Sequence, residues 1–165
     1  MDGLWFRSNK QSIEYQDLLS ILKSISSTKH HVVIGTDSQP TMNGDIYVTV
    51  VCVFCRNSEH DRQFYYHRSL KPKANSLYER MSSEAMVTIL LADALRGEIS
   101  YPLSLELHFD LASSSKGRTF RYTHNLTSIA RGFAFNNIEV KPNAWAASSV
   151  ADKYSKSKRH LRMSV

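Results

Sequence analysis

Four acidic side chains, each at the end of a predicted strand or within a predicted helix, are the candidates for chemistry in this sequence. Asp37 closes a β-branched run, and Asp110 closes a run of alternating apolar and polar residues. Glu84 and Asp152 lie in predicted helices. A carboxylate is costly to bury unless a cation or a hydrogen-bond donor meets it. Carboxylate oxygens are also the ligands that Mg²⁺ and Mn²⁺ prefer, so four acids in one place would suit two-metal phosphoryl transfer.

Each acid also has an interpretation without chemistry. Asp37, followed by Ser38 and Pro40, could begin a turn by bonding to local backbone. Glu84 lies on the helix stripe that faces the core, where an acid without a partner is rare, but a shifted interface would leave it outside. Asp152 lies off the apolar stripe of its helix, as an ordinary surface acid does. Taken together, the acids favour the ligand interpretation of Asp37.

The pattern of apolar residues predicts the elements that must position these acids. The order is helix 12–26; strands 31–37, 46–55 and 62–70; helix 76–95; strand 103–110; helix 118–133; strand 136–140; and helix 144–155. Asn43-Gly44 is a hairpin signal, so the first three strands form an antiparallel meander. Two later parallel strands complete a mixed five-stranded α/β sheet with helices on both faces. If the strands that end at Asp37 and Asp110 are parallel neighbours, both carboxylates emerge at one sheet edge.

Length and charge fit one domain over residues 1–165 with a polyanionic partner. The formal net charge is +6 and the isoelectric point is near 9.4, which favours nucleic acid through phosphate neutralisation. Basic residues accumulate in a tail over residues 153–165, which contains no acid. A solvated, frayed terminus is the alternative interpretation of that tail.

Several function classes are excluded by pattern. The sequence has no Walker loop, no GxSxG elbow and no zinc signature. Cys52 and Cys55 are three apart on a predicted strand and therefore face opposite sides. No apolar run reaches the roughly 20 residues that span a bilayer, and residues 1–10 lack the apolar segment of a secretory signal. We therefore expect a cytoplasmic protein with no membrane partner.

Four segments in order along the chain carry a resemblance to a known family: residues 34–39, 81–84, 108–110 and 141–149. Over residues 31 to 156 the sequence resembles the ribonuclease H superfamily, and within it the bacterial YkuK family. The resemblance implies a ribonuclease H-like fold and a nuclease that uses two Mg²⁺ or Mn²⁺ ions. Its substrate would be RNA, an RNA–DNA hybrid or structured DNA. A non-catalytic nucleic-acid-binding or protein-interaction module of the same fold is the alternative.

The resemblance also implies roles for individual residues. Asp37, Glu84 and Asp110 would be catalytic metal ligands, and the fourth ligand would be Asp152, with a neutral Asn143 as its competitor. The candidates for contacts with nucleic acid are Ser38, Gln39, Lys116, Asn143, Lys153 and Lys156.

Other polar and aromatic residues near the acids admit two interpretations. His108 shares a strand face with Asp110, and it either assists proton transfer or is a partly buried, hydrogen-bonded histidine. Glu106, further from the strand end, is predicted to be structural. The Tyr-Tyr-His-Arg segment at residues 65–68 suggests base stacking, although alternation on a strand turns half of it to the core.

Overall fold

A computed structural model of the chain describes residues 3–25, 29–55, 62–99 and 103–155 and shows a central sheet with helices on both faces. The strands are β1 (Trp5–Arg7), β2 (Ser12–Ile13), β3 (His30–Thr41), β4 (Gly44–Cys55), β5 (Arg62–Lys71), β6 (Leu105–Phe109) and β7 (Ile138–Glu139). The helices are α1 (Tyr15–Ser24), α2 (Leu77–Glu98), α3 (Phe120–Gly132), a π-helix over Ala146–Ala151 and the single turn α4 (Asp152–Ser155) that continues it. Residues 156–165, which form most of the predicted basic tail, lie outside the described residues.

The strand order is β2-β1-β5-β4-β3-β6-β7. β3, β4 and β5 form the predicted antiparallel meander, and β6 and β7 add in parallel beside β3. The predicted mixed sheet is thus confirmed, but β1 and β2 extend it from five strands to seven. The predicted helix over residues 12–26 is shorter in the structure, because Ser12 and Ile13 pair with β1 and α1 begins only at Tyr15.

β3 is longer than predicted, and its two neighbours end their pairing at different points. It continues past Asp37 to Thr41, because the hairpin with β4 turns at Met42 and Asn43. The prediction that the strand stops at Asp37 is therefore wrong. Parallel pairing with β6 does end there, since the last pair joins Thr36 to Phe109. Asp37 and Asp110 follow that pair directly, and both leave the paired region at the same edge.

Successive residues of β3 feed two separate apolar cores, as alternation along a strand requires. Val32 and Ile34 pack with α1, α2 and α3 on one face. Val33 packs with the π-helix on the other face. Within the described residues, no helix is both long enough and apolar enough to cross a membrane.

The π-helix lies directly on β3 at Gly35. A Cβ at this position would stand 2.7 Å from the backbone nitrogen of Ala147 and 3.1 Å from the carbonyl carbon of Ala146. The Ala146 N–H also donates to His108 Nδ1 at 3.0 Å, which fixes the first turn of the π-helix on β6. This close approach brings Asp152 and the end of α4 to the sheet edge that carries Asp37.

Substituting Gly35→Ala should therefore lower the free energy of unfolding by roughly 1–3 kcal/mol, the usual cost of overpacking. Gly97→Ala is the matched control, because nothing lies within 4 Å of a Cβ at that helical position and alanine should stabilise the helix by about 0.5–1 kcal/mol. Urea unfolding measures the free energy of unfolding of both variants. Equal stability of the two variants would contradict the close approach.

Candidate functional site

The structure brings the four predicted acids together where β3 and β6 separate. Asp37 and Asp110 follow the last parallel pair, and Glu84 reaches the same edge from α2. The charges of Asp37 and Asp110 both raise the pKa of Glu84. The charges of Asp110 and Asp152 both raise the pKa of Asp37. The four carboxylates are therefore close enough to repel one another.

Glu84 lies on the core-facing side of α2, as the helical stripe predicts, and is only 5% exposed. Ser38 Oγ donates to its Oε1 at 2.6 Å. Burial raises the pKa of Glu84 to about 8, and the charges of Asp37 and Asp110 add to this rise, while the Ser38 hydrogen bond and Arg80 oppose it. In the absence of a cation, Glu84 therefore holds a proton at neutral pH.

Asp37 is half-buried within β3, opposite Val48 of β4. The interpretation in which Asp37 begins a turn is wrong, because the residue is inside a strand. Ser155 Oγ donates to Asp37 Oδ2 at 2.8 Å. Burial raises the pKa of Asp37 to about 6, although the hydrogen bond from Ser155 acts in the opposite direction.

Asp110 has a cation beside it. Lys141 Nζ lies 2.8 Å from Asp110 Oδ1. The contact has the distance of an ion pair but not the geometry of a hydrogen bond, and Oδ1 is buried without a hydrogen-bond partner. The Lys141 backbone N–H donates to the carbonyl oxygen of Leu111 at 2.9 Å, which holds the lysine next to Asp110. A buried carboxylate oxygen that accepts no hydrogen bond is costly, and the ammonium group of Lys141 is the positive charge that offsets this cost.

A row of threonine hydroxyls ties α2 to the sheet beneath Glu84. Thr88 Oγ1 donates to Thr36 Oγ1 at 2.8 Å, and Thr36 Oγ1 lies 3.1 Å from Thr49 Oγ1. Thr88 Oγ1 is also 3.1 Å from the backbone carbonyl oxygen of Glu84. These buried contacts fix the helical turn that carries Glu84. Threonine is common in strands for its β-branch alone, so nothing in the sequence indicated this role.

The donor types of the cluster fit Mg²⁺ or Mn²⁺, but the side chains are not arranged as a ready site. The raised pKa values of Asp37 and Glu84 are what neighbouring acids without a matching positive charge produce, whereas Asp110 already has the ammonium group of Lys141 beside it. Among the described residues, however, no three His, Cys, Asp or Glu side chains are grouped so that they could hold one ion. Asp37, Glu84 and Asp110 each face their own partner instead, so ion binding requires side-chain rotation.

The two candidates for the fourth ligand lie in different surroundings. Asn143 is exposed, and its Nδ2 donates to Glu139 Oε2 at 3.2 Å. Asp152 is half-buried and its charge acts on Asp37. Of the two, Asp152 is the one that belongs to the acid cluster.

The predicted nucleic-acid contacts have different degrees of exposure. Ser38 is buried against Glu84, and Gln39 next to it is half-buried. Lys116, in the loop before α3, and Lys153, on α4, are exposed. Lys156 lies outside the described residues.

Two predictions about aromatic and histidine residues have clear outcomes. Tyr65 and Tyr66 are buried, and Tyr66 stacks on Tyr154 with ring centroids 4.1 Å apart. The prediction of base stacking on these two tyrosines is therefore wrong, because their rings already fill the core.

His108 is fully buried, and its Nε2 lies 2.6 Å from Glu106 Oε1. The structure thus shows the hydrogen-bonded histidine, fixed between Glu106 and the π-helix.

The fold is a three-stranded meander followed by a helix, parallel strands and a closing helix, with acids on β3, on α2, directly after β6 and on α4. This arrangement defines a ribonuclease H-like protein. A family model described as Ribonuclease H-like matches residues 14–156. The chain belongs to this family. A search of curated proteins and a search of solved structures each found no match.

The raised pKa of Glu84 makes stability depend on pH. The folded state holds this proton up to about pH 8, whereas an unfolded glutamate releases it near its ordinary value of about 4.3. The folded state binds more protons in this window, so the free energy of unfolding should fall as pH rises through it. Glu84→Gln should weaken that fall and raise stability at about pH 9 by on the order of 2 kcal/mol.

Urea unfolding at about pH 5 and about pH 9, in the presence of a chelator, measures this dependence. Asp93→Asn, at a position on α2 outside the acid cluster, is the control and should change stability by no more than about 0.5 kcal/mol. An equally steep pH dependence in wild type and Glu84→Gln would contradict the assignment.

Proposed function

We propose that the protein is a metal-dependent nuclease of the YkuK type that hydrolyses phosphodiester bonds in RNA, an RNA–DNA hybrid or structured DNA. The observation that carries this proposal is the convergence of Asp37, Glu84 and Asp110 at the end of one parallel strand pair. Family membership supports the fold, and the acid cluster supports the reaction. The YkuK assignment rests on the four sequence segments at residues 34–39, 81–84, 108–110 and 141–149.

Asp37, Glu84 and Asp110 would hold two Mg²⁺ or Mn²⁺ ions, with Asp152 as the fourth ligand. Such ions, when bound, supply an activated water and charge stabilisation at the leaving oxygen. Ser155 orients the carboxylate of Asp37, as the 2.8 Å hydrogen bond between them indicates. Glu84 must release its proton to become a ligand, so metal affinity should rise with pH.

The charge of the protein supports nucleic acid as the substrate. A formal net charge of +6 attracts a phosphate backbone. Lys153 is exposed on α4, directly after Asp152. Lys116 is exposed in the loop that follows β6 and Asp110. Both lysines thus follow an acid of the cluster closely in the chain, where they could contact phosphates beside the scissile bond.

A second candidate function is a nucleic-acid-binding or protein-interaction module without turnover. The ion pair between Lys141 and Asp110 favours it, because an ammonium group already provides positive charge at the acid cluster. In such a module Lys141 would stay in place permanently. The basic surface would then bind nucleic acid without cutting it.

Purified protein should cleave at least one of single-stranded RNA, an RNA–DNA hybrid or a branched DNA in the presence of Mn²⁺ or Mg²⁺. Asp37→Asn should reduce cleavage by at least about 10³-fold, because it removes a charged ligand at the centre of the cluster. Asp93→Asn is the matched control and should keep wild-type activity. Cleavage that survives in Asp37→Asn would show that the acid cluster is not the active site.

Lys141→Met separates the two candidate functions. If the ammonium group competes with a metal ion for Asp110, its removal should raise Mn²⁺ affinity by roughly tenfold, as expected for one lost competing charge. Isothermal titration calorimetry measures this affinity without reference to activity, and Lys23→Met on the exposed side of α1 is the control. If neither wild type nor Lys141→Met binds Mn²⁺ at about 1 mM, the metal-dependent nuclease is wrong, and the same variants should then bind nucleic acid without cutting it.

A further inference from the structure

A cavity lies between the last helix and the sheet, outside the acid cluster. Its volume is about 580 Å³, which is within the range of small-molecule sites. His31 and Val33 contribute to it from the start of β3. Val33, the nearer of the two, precedes Asp37 by four residues on the same strand, which is roughly 13 Å at the usual rise. The cavity is therefore separate from the proposed catalytic site.

Three aromatic side chains line this cavity. Phe54 packs edge to face against Trp145, with ring centroids 5.1 Å apart and planes at 86°. Phe54 meets Phe64 in the same way, at 6.0 Å and 83°. All three rings are half-buried and line the open space. Aromatic walls of this kind bind flat rings by stacking.

Glu106 brings a negatively charged acceptor to the cavity. Its Oε1 lies 2.6 Å from His108 Nε2, and its Oε2 lies 2.9 Å from His31 Nε2. Because His108 Nδ1 accepts the Ala146 N–H, the proton of this imidazole is on Nε2 and is donated to Glu106. Burial raises the pKa of Glu106, but the hydrogen bonds from His108 and His31 outweigh it and the pKa is lowered. Each carboxylate oxygen keeps a second acceptor position, so Glu106 can also accept an N–H from a ligand.

Arg62 supplies a positive charge to the same cavity. It is exposed, and its guanidinium carbon lies 5.7 Å from the centroid of the Phe54 ring. Arginine in this setting can bind a phosphate while its plane stacks beside an aromatic ring. The cavity thus combines a stacking wall, an acceptor for N–H groups and a phosphate-binding cation.

We infer that this cavity binds a nucleotide, with the base against Phe54, Phe64 and Trp145 and the phosphate at Arg62. Glu106 would accept an exocyclic N–H of the base. The nucleotide is either free or part of a single strand, since both present the same base and phosphate. The inference does not depend on the acid cluster or on the proposed nuclease activity.

Nuclear magnetic resonance on the full chain tests this inference through the indole N–H of Trp145. Trp5 is buried in the apolar core on the opposite face of the sheet and serves as the internal reference. AMP or CMP should shift the signal of Trp145 and leave that of Trp5 in place. Adenosine should bind about tenfold more weakly because it lacks the phosphate, and ribose 5-phosphate should cause no shift. If a trinucleotide binds and mononucleotides do not, the natural ligand is a single strand of nucleic acid rather than a free nucleotide.

Variants of Arg62 and Phe64 separate the contribution of charge from that of stacking. Arg62→Ala should weaken the binding of AMP about tenfold and leave the binding of adenosine unchanged. Arg131→Ala, at an exposed arginine of α3, is the control and should change the affinity for neither ligand. Phe64→Leu keeps an apolar side chain without a ring and should weaken the binding of AMP and of adenosine to the same extent. Asp37→Asn should bind AMP as wild type does, so this test is independent of the nuclease proposal.

Two results would overturn the inference. One is the absence of any Trp145 shift with mononucleotides and trinucleotides at about 1 mM, the weak end of useful affinities. The other is binding that Arg62→Ala and Arg131→Ala weaken equally, which would place the ligand on the general basic surface rather than in the cavity.

Discussion

The repulsion between carboxylates that the fold holds together is the constraint on which the rest of the site depends. Asp37, Glu84 and Asp110 lie at one sheet edge, and each is compensated in a different way. Asp37 accepts from Ser155, Glu84 keeps a proton, and Asp110 is paired with Lys141. Proteins with apolar residues in place of such buried charges are often equally stable or more stable. An arrangement that keeps the acids at this cost is expected where they serve to bind a cation.

The backbone that enforces this arrangement also connects the two proposed sites. Parallel pairing of β3 with β6 ends at Thr36, so the next residue of each strand is an acid of the cluster. Gly35 allows the π-helix to lie on β3, so the last helix runs from Trp145 beside the aromatic cavity to Asp152 beside Asp37. One helix therefore contributes to both sites, with Trp145 and Val150 at the cavity and Asp152 at the acid cluster.

The sequence predicted the sheet and the three central acids because their signals are local. The predicted strand ends identified Asp37 and Asp110, although β3 in fact continues past Asp37, and the helical stripe identified Glu84. The sequence did not identify Lys141 and Ser155, because an ordinary lysine and serine become partners of the acids only through tertiary contacts. The short strands β1 and β2 also escaped prediction, since two or three residues carry too little periodicity. The length of β3 was not predicted, because β3 continues to pair with β4 as far as Thr41 although its pairing with β6 ends at Thr36.

Anomalous diffraction from a crystal soaked in Mn²⁺ is the measurement that tests the central claim most directly. The account predicts one or two anomalous peaks between the carboxylates of Asp37, Glu84 and Asp110. It also predicts that the Lys141 ammonium group leaves Asp110, because a divalent ion replaces the single charge that it provides. A soaked crystal with no peak at this edge, and with Lys141 still paired to Asp110, would contradict the account.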